Sequence, residues 1–288
     1  MKPYLNDYQS PRSISFWRFL AKPASVLGAT LYLMVVVVAL AAPIIAPYDP
    51  LKIVPTLILQ KPSSEHWFGN DELGRDILSR IIYGSRVSIG VSVISISIAV
   101  SGGVVFGTIS GYYGGKISVV IMRVMDALSA FPTVLLALGI LSAMGPGIQN
   151  AMVAIGVVYT PAFTRIMRAG VITVKHNEYV EASRASGANT IAIIYRTILP
   201  NCWSPLIVHS SIGFASAINI EAALSFLGLG TQPPTPSWGA MLNISRQYLS
   251  QNVWYSVAAG AAISVTVLCL NLLGDGLRDI LDPRVRSS

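Results

Sequence analysis

Charge is what this sequence has least of. Only 11% of its 288 residues are Asp, Glu, Lys or Arg, against about a quarter in an ordinary soluble domain. The shortage is concentrated, and residues 87–115, 127–164, 197–220 and 247–274 contain no charged residue at all. Stretches of that length exclude a conventional soluble globule, because a water-facing helix needs a polar side. Cysteine is nearly missing too. Cys202 and Cys269 offer neither a disulfide framework nor a metal-binding pair. His66, His176 and His209 are far apart in the chain, so no metal site is expected. The short alternating segments of a membrane β-barrel are also lacking. The apolar runs are continuous instead, as from Leu31 to Ala42.

What is present follows the dimensions of a bilayer. A hydrocarbon core of about 30 Å takes roughly 20 apolar residues as helix. Only helices or closed barrels satisfy their backbone there. The reading is therefore an all-α integral membrane protein with six transmembrane helices. The spans are expected at about 24–46, 87–111, 118–144, 148–168, 203–226 and 253–274. Residues 1–23 are polar and basic, so the first span resembles a signal peptide. It is too long for one, and more spans follow, so it reads as uncleaved. A polar segment at 47–86 carries five acids and five Lys/Arg. Gly145-Pro146-Gly147 marks a tight turn.

The net charge of +7 is topological and does not call for nucleic acid. With a cytoplasmic N-terminus, fourteen of the 20 Lys/Arg fall on inner segments and six on outer ones. Five of those six are matched by acids. Positive residues collect on the cytoplasmic side, so both termini, 1–23 and 276–288, are expected there. Residues 47–86 are then extracytoplasmic.

The longest inner loop carries helix punctuation. Asn177 is a candidate N-cap. Glu178 and Glu181 follow in the first turn, where the helix dipole favours acids. Arg184 is placed to pair with Glu181. Gly187 is a natural stop. A second short helix is expected from about Thr190 to Ile198, ended by Pro200. Such a pair of helices can either float on lipid headgroups or fit a groove on a cytoplasmic partner and act as a lever.

Glu181, Ala182, Gly187, Leu199 and Pro200 fall on a longer pattern. Together with Ser183, which replaces an alanine, and Thr197, which replaces an isoleucine, they resemble the Glu-Ala-Ala motif of ABC importer permeases. Residues His66 to Asp76 look like the start of the permease core in the dipeptide/oligopeptide subfamily. Leu224 to Gly230 with Gln232 to Gly239, Gly274 to Asp279, and Leu281 to Arg284 are similar to the same subfamily. The resemblance covers about 66–284 and is to a C-type permease subunit.

That resemblance implies a type I ABC importer permease fold. The permease core would be 87–275, with five transmembrane helices and coupling helices within 178–200. It implies a second homologous permease, two cytoplasmic ATPases and a periplasmic binding protein as partners in a bacterial inner membrane. Glu181, Ala182, Ser183, Gly187, Leu199 and Pro200 would meet the ATPases. The cargo would be di- or oligopeptides, with glutathione or a nickel complex as the alternative. This chain is expected to hold no cofactor and no catalytic residue. Gly115-Lys116 lacks the Ser/Thr and first glycine of a phosphate loop, so ATP and Mg belong to partners.

Other polar residues invite separate readings. Asp126 is expected either to pair with Arg123 near the inner interface or to serve the pathway. Pro132 is expected to kink the third span. Glu221 and Asn219 should face the protein interior or the pathway, as a helix–helix hydrogen bond or as part of a gate. Trp238 is read as an interfacial anchor or as a contact for the binding protein. Ser101-Gly102-Gly103 and Gly107 to Gly111 predict close helix packing. An ion-coupled secondary transporter is the rival class. It would want an ionisable relay at mid-membrane, and only Asp126 and Glu221 are on offer.

Overall fold

Polar ends and long apolar middles recur along the chain, and each apolar stretch folds as helix. The structure is a computed structural model describing residues 22–281. Helix α1 is Pro23–Leu40, α2 Ile77–Tyr113, α3 Gly115–Ser129, α4 Thr133–Met144 and α5 Ile148–Val174. After them come α6 at Glu178–Ala185, α7 at Thr190–Phe226, α8 at Trp238–Ser245 and α9 at Val253–Leu281. Most of the expected segments 1–23 and 276–288 lies outside the described residues, including Asp282-Pro283-Arg284.

Four of these helices, α1, α2, α7 and α9, are long and apolar enough to cross a membrane. The pair α3–α4 passes the same test together but bends by 94° at its break. The expected third span is therefore not one continuous helix. Pro132 caps the start of α4 with a φ of −55° and a ψ of 132°, conditions under which a helix cannot continue through it. Helix α5 has 27 residues, about 40 Å at 1.5 Å per residue, which is ample for a span. It fails on composition, because Arg165 and Arg168 interrupt its apolar character. Arg165 is exposed and Arg168 half-buried, and both are met by polar groups of α3, Asp126 and Ser118.

The expected spans are too short at several ends. Helix α2 begins at Ile77, ten residues before the charge-free run at 87. Arg80 and Arg86 made that turn look like loop. In the fold Arg80 is buried, and its Nη1 donates to the Pro50 carbonyl at 3.1 Å. At 37 residues α2 is about 55 Å long, so its first turns stand clear of the bilayer core. Helix α9 likewise runs past 274 to Leu281.

The core is a parallel pair. Gly103, Gly107 and Gly111 on α2 face Phe163, Met167 and Val171 on α5, rung by rung. A Cβ on Gly103 would come within 2.3 Å of the Phe163 Cβ. Small residues four apart let two helices approach this closely. Helix α7 packs antiparallel on α2, with Gly213 against Ile96 and Ser88 near Glu221. Helix α1 packs antiparallel on α9, with Gly28 against Leu272. Lys22 at the start of α1 pairs with Asp279 near the end of α9. The start of α1 and α7 and the end of α2, α5 and α9 therefore share one end of the bundle.

The opposite end is closed by the segment 47–76. Asp71 accepts from the backbone N–H of Leu73 and of Arg75, each at 2.9 Å, and from Arg75 Nε at 2.6 Å. Asp76 caps α2 through Ser79 N at 2.8 Å and also meets His66 Nδ1 at 2.8 Å. Asn252 Nδ2 reaches the carbonyls of Gln60 and Asn70 at 3.2 and 3.3 Å. The segment is thus clamped onto the start of α2 and α9. Trp238 is buried, and its Nε1 donates to the Ile81 carbonyl at 3.0 Å. It is neither an interfacial anchor nor an exposed contact, because its indole N–H finds a backbone partner inside the fold.

Candidate coupling site

Between α5 and α7 the chain leaves the bundle and returns. Helix α6 starts at Glu178 after Asn177, whose φ of −75° and ψ of 145° are those of an N-cap. The Asn177 side chain makes no cap bond and donates to Tyr179 Oη at 3.0 Å instead. Glu178 and Glu181 lie in the first turn as expected. The expected Glu181–Arg184 ion pair is absent among the described residues. Both side chains point to solvent, where such a pair contributes little. Ser183 is satisfied locally, through the Tyr179 carbonyl at 2.9 Å.

Gly187 ends the helix as the sequence suggests. Its φ is +82°. Gly187 N bonds the Arg184 carbonyl and Ala188 N the Ser183 carbonyl, the paired bonds of a glycine-terminated helix. Asn189 then caps the next helix, accepting from Ala192 N at 2.7 Å.

Pro200 does not end that helix. Thr190 to Phe226 is continuous, with a π-helical turn at Ile193–Ile198. Leu199 N bonds the Ile194 carbonyl, five residues back. The widened turn removes the bond and the clash that a proline ring creates with the carbonyl four residues before it. Leu199 and Pro200 therefore lie within one continuous helix that runs on into the span of α7.

The loop is anchored on one side and bare on the other. Val180, Ile193 and Ile198 are buried and belong to the main hydrophobic core with Val174 and Cys202. Glu181, Ala182, Gly187 and Pro200 are exposed, Ser183 and Leu199 partly so. Three large apolar side chains are also uncovered: Tyr179 at 44% exposure, Ile191 at 68% and Tyr195 at 69%. Helix punctuation does not mark these three; their signal is an apolar side chain beside charged ones in a segment too polar to span a membrane. A rigid, partly apolar protrusion on a span can accept a partner's groove and pass on its motion.

The other candidates lie elsewhere. Asp126 on α3 does not pair with Arg123. Its Oδ1 accepts from Arg165 Nη2 on α5 at 2.9 Å, and Arg165 also reaches Ser129 Oγ at 3.0 Å. A same-helix pair is weak at an exposed site, whereas this one joins two helices. Glu221 is 1% exposed. Ser225 Oγ donates to its Oε1 at 2.8 Å, and Ser88 Oγ and Thr231 Oγ1 approach at 3.4 and 3.5 Å. It is tied into α2, α7 and the loop after α7. Asn219, two residues away, is exposed on α7. Cys202 and Cys269 are free and buried, and no metal-binding cluster occurs among the described residues.

Comparison with known proteins bears on this arrangement. Residues 103–287 match the family of binding-protein-dependent transport system inner membrane components. Residues 10–62 match the N-terminal transmembrane domain of oligopeptide transport permease C. A di/tripeptide transport system permease protein of Pseudomonas aeruginosa is 42% identical over 98% of this chain and 95% of its own length. A dipeptide transport system permease of Alkalihalophilus pseudofirmus is 41% identical, over 96% and 91%. A glutathione transport system permease of Pectobacterium atrosepticum is 41% identical, over 94% and 91%. Among solved structures, the inward-facing MetNI methionine ABC transporter aligns with a TM-score of 0.57 at 18% identity, over 69% of this chain and 95% of that one. The long parallel core, the anchored loop and these matches agree: the chain is a multi-pass inner-membrane protein and belongs to the C-type permease subunits of the dipeptide/oligopeptide ABC importers.

Proposed function

We propose that this chain forms half of the translocation pathway of an ATP-driven importer of short peptides, and that residues 178–200 are where an ATPase subunit drives it. The observation that carries this reading is the loop itself. Val180 and Ile193 root it in the core, while Arg184 to Ile191 stay uncovered and Pro200 lies within α7. A lever needs a rigid root, a free tip and a rigid connection to what it moves, and this loop has all three.

The remaining parts follow the same reading. The Lys22–Asp279 pair supports both termini on one face, and the distribution of basic residues supports the cytoplasm for that face. A second homologous permease completes the pathway. Two ATPases bind ATP and Mg beneath the pair, and a periplasmic binding protein delivers cargo at the face closed by 47–76. No cofactor and no catalytic residue is assigned to this chain.

Peptide is the favoured cargo because di/tripeptide and dipeptide permeases are among its close relatives. Glutathione is the second reading, supported by one relative at 41% identity. The test is uptake into proteoliposomes holding the assembled transporter and its binding protein. Labelled dipeptide should accumulate only with internal ATP and the ATPases. Accumulation on an ion gradient alone would overturn the reading. Glutathione uptake in preference to dipeptides would replace the cargo and leave the machine.

A further inference from the structure

Three cations converge on one cavity at the root of the coupling loop. The cavity has a volume of about 760 Å³ and lies where α2 ends, α3 begins and α5 ends. Lys116, Arg168 and Lys175 line it together with Ser110 and Ser118. No acidic residue lines it. None of the three cations pairs with a carboxylate among the described residues.

Neutral groups hold two of these cations in place. Arg168 Nε donates to Ser118 Oγ at 3.1 Å, and Ser118 Oγ is 2.8 Å from Ser110 Oγ. Lys175 Nζ donates to the Gly111 carbonyl at 2.9 Å. An ammonium has three N–H donors and a guanidinium five, so most remain available to a ligand. The turn beneath adds to the positive field. Gly114 and Gly115 have φ values of +67° and +53°, and α3 starts there without a side-chain cap. Its first N–H groups and the positive end of its dipole lie at the cavity. The field therefore comes from three side chains and a helix end, with nothing negative to offset it.

The other wall is apolar. Val119, Val120 and Ile172 line the same cavity, and Val119 and Val120 stand outward on α3. An anion alone would leave that wall unused. We propose that the cavity binds an anionic phospholipid, with its phosphate against Lys116, Arg168 and Lys175 and an acyl chain along Val119 and Val120. Basic pockets between spans at the cytoplasmic face suit such headgroups. Lys175 precedes the start of α6 by three residues. A lipid seated here bridges the turn between α2 and α3 to the end of the helix that carries the coupling loop. The proposal is independent of which cargo is carried.

The assembled transporter, exchanged into nanodiscs of phosphatidylcholine with rising phosphatidylglycerol, tests it by native mass spectrometry. The proposal expects phosphatidylglycerol to be retained in preference, saturating at one per copy of this chain. Lys116→Gln or Lys175→Gln should each cut that preference about fivefold. Lys52→Gln, at the opposite end of the bundle, should leave it unchanged. Lys116 is exposed, so its variant should unfold at the wild-type temperature, which is checked in detergent. Four results would overturn the proposal. One is retention without headgroup preference. Another is unchanged preference in the Lys116→Gln/Lys175→Gln double variant. The third is displacement by inorganic phosphate, which would mark a site for a free anion. Cross-linking of Lys116 to an acidic residue of a partner subunit would overturn it as well.

Discussion

Gly107 lies so close to Met167 that a Cβ on the glycine would stand 2.6 Å from the methionine Cβ. The contact is the middle rung of three, between Gly103 and Phe163 above and Gly111 and Val171 below. Helix α5 leads into the loop at 178–200, so these rungs fix the loop's root to α2, one of the two longest helices of the bundle. Gly107→Val should lower stability by about 1–3 kcal/mol, the usual cost of overpacking a core. Gly90, also on α2, has nothing within 4 Å of an added Cβ. Gly90→Ala should stay within about 0.5 kcal/mol of wild type or gain slightly. Thermal unfolding of the purified chain in detergent checks both, and equal effects at the two sites would contradict the packing account.

The buried knot at the other end makes a second prediction. Asp71 is fully buried, accepts from Arg75 Nε at 2.6 Å and lies 3.3 Å from Arg80 Nε. Asp71→Ala leaves the buried Arg80 without its anion and Arg75 with Glu72 alone, at a cost of about 3–5 kcal/mol. Hydrogen exchange should then speed up across 47–76 while α5 keeps its protection. Added salt should not mimic the loss, because a pair this buried is poorly screened.

Glu221 is held by hydroxyls and by no cation. Glu221→Gln keeps an acceptor for Ser225 and should leave both folding and transport near wild type. Glu221→Leu strands the buried hydroxyls of Ser88 and Ser225, and should cost about 1–3 kcal/mol. Unfolding temperature and uptake rate separate the two roles. If Glu221→Gln unfolded normally yet abolished uptake, the residue would belong to the pathway instead.

On the loop, buried and bare side chains should fail differently. Ile191→Ser and Tyr195→Ser alter exposed apolar surface and should weaken co-purification of the ATPase without changing the unfolding temperature. Val180→Ser, in the core, should lower the unfolding temperature as well. Loss of stability in all three would mean that Ile191 and Tyr195 pack within the chain.

The contrast between these residues also shows how far the sequence could be read. Four spans, α1, α2, α7 and α9, were legible because charge-free runs near 20 residues have few explanations. Gly187 was legible because a left-handed helix stop favours glycine. Arg80 hid the true start of α2, since a charge marks a loop unless a buried partner such as Asp71 neutralises it. The Asp126–Arg165 pair was out of reach because local spacing favours Arg123, and only packing brings α3 against α5. Pro200 misled for a related reason: a π turn absorbs the proline, and nothing in the local sequence announces that turn. Trp238 looked like a surface aromatic until α2 supplied the Ile81 carbonyl.

On the function proposed above, the loop around Gly187 converts ATPase motion into movement of the permease. Gly187 has a φ of +82° and nothing within 4 Å of an added Cβ, so a substitution there strains the backbone without a clash. Left-handed backbone costs a non-glycine residue roughly 1–2 kcal/mol, and a β-branched one tolerates it worst. The direct measurement is ATP hydrolysis and dipeptide uptake, side by side, in proteoliposomes of the assembled transporter carrying Gly187→Val. The account predicts that uptake falls sharply while hydrolysis persists or the ATPase dissociates, and that Gly187→Asn retains more uptake than Gly187→Val. Wild-type uptake per ATP hydrolysed by an intact Gly187→Val complex would contradict it.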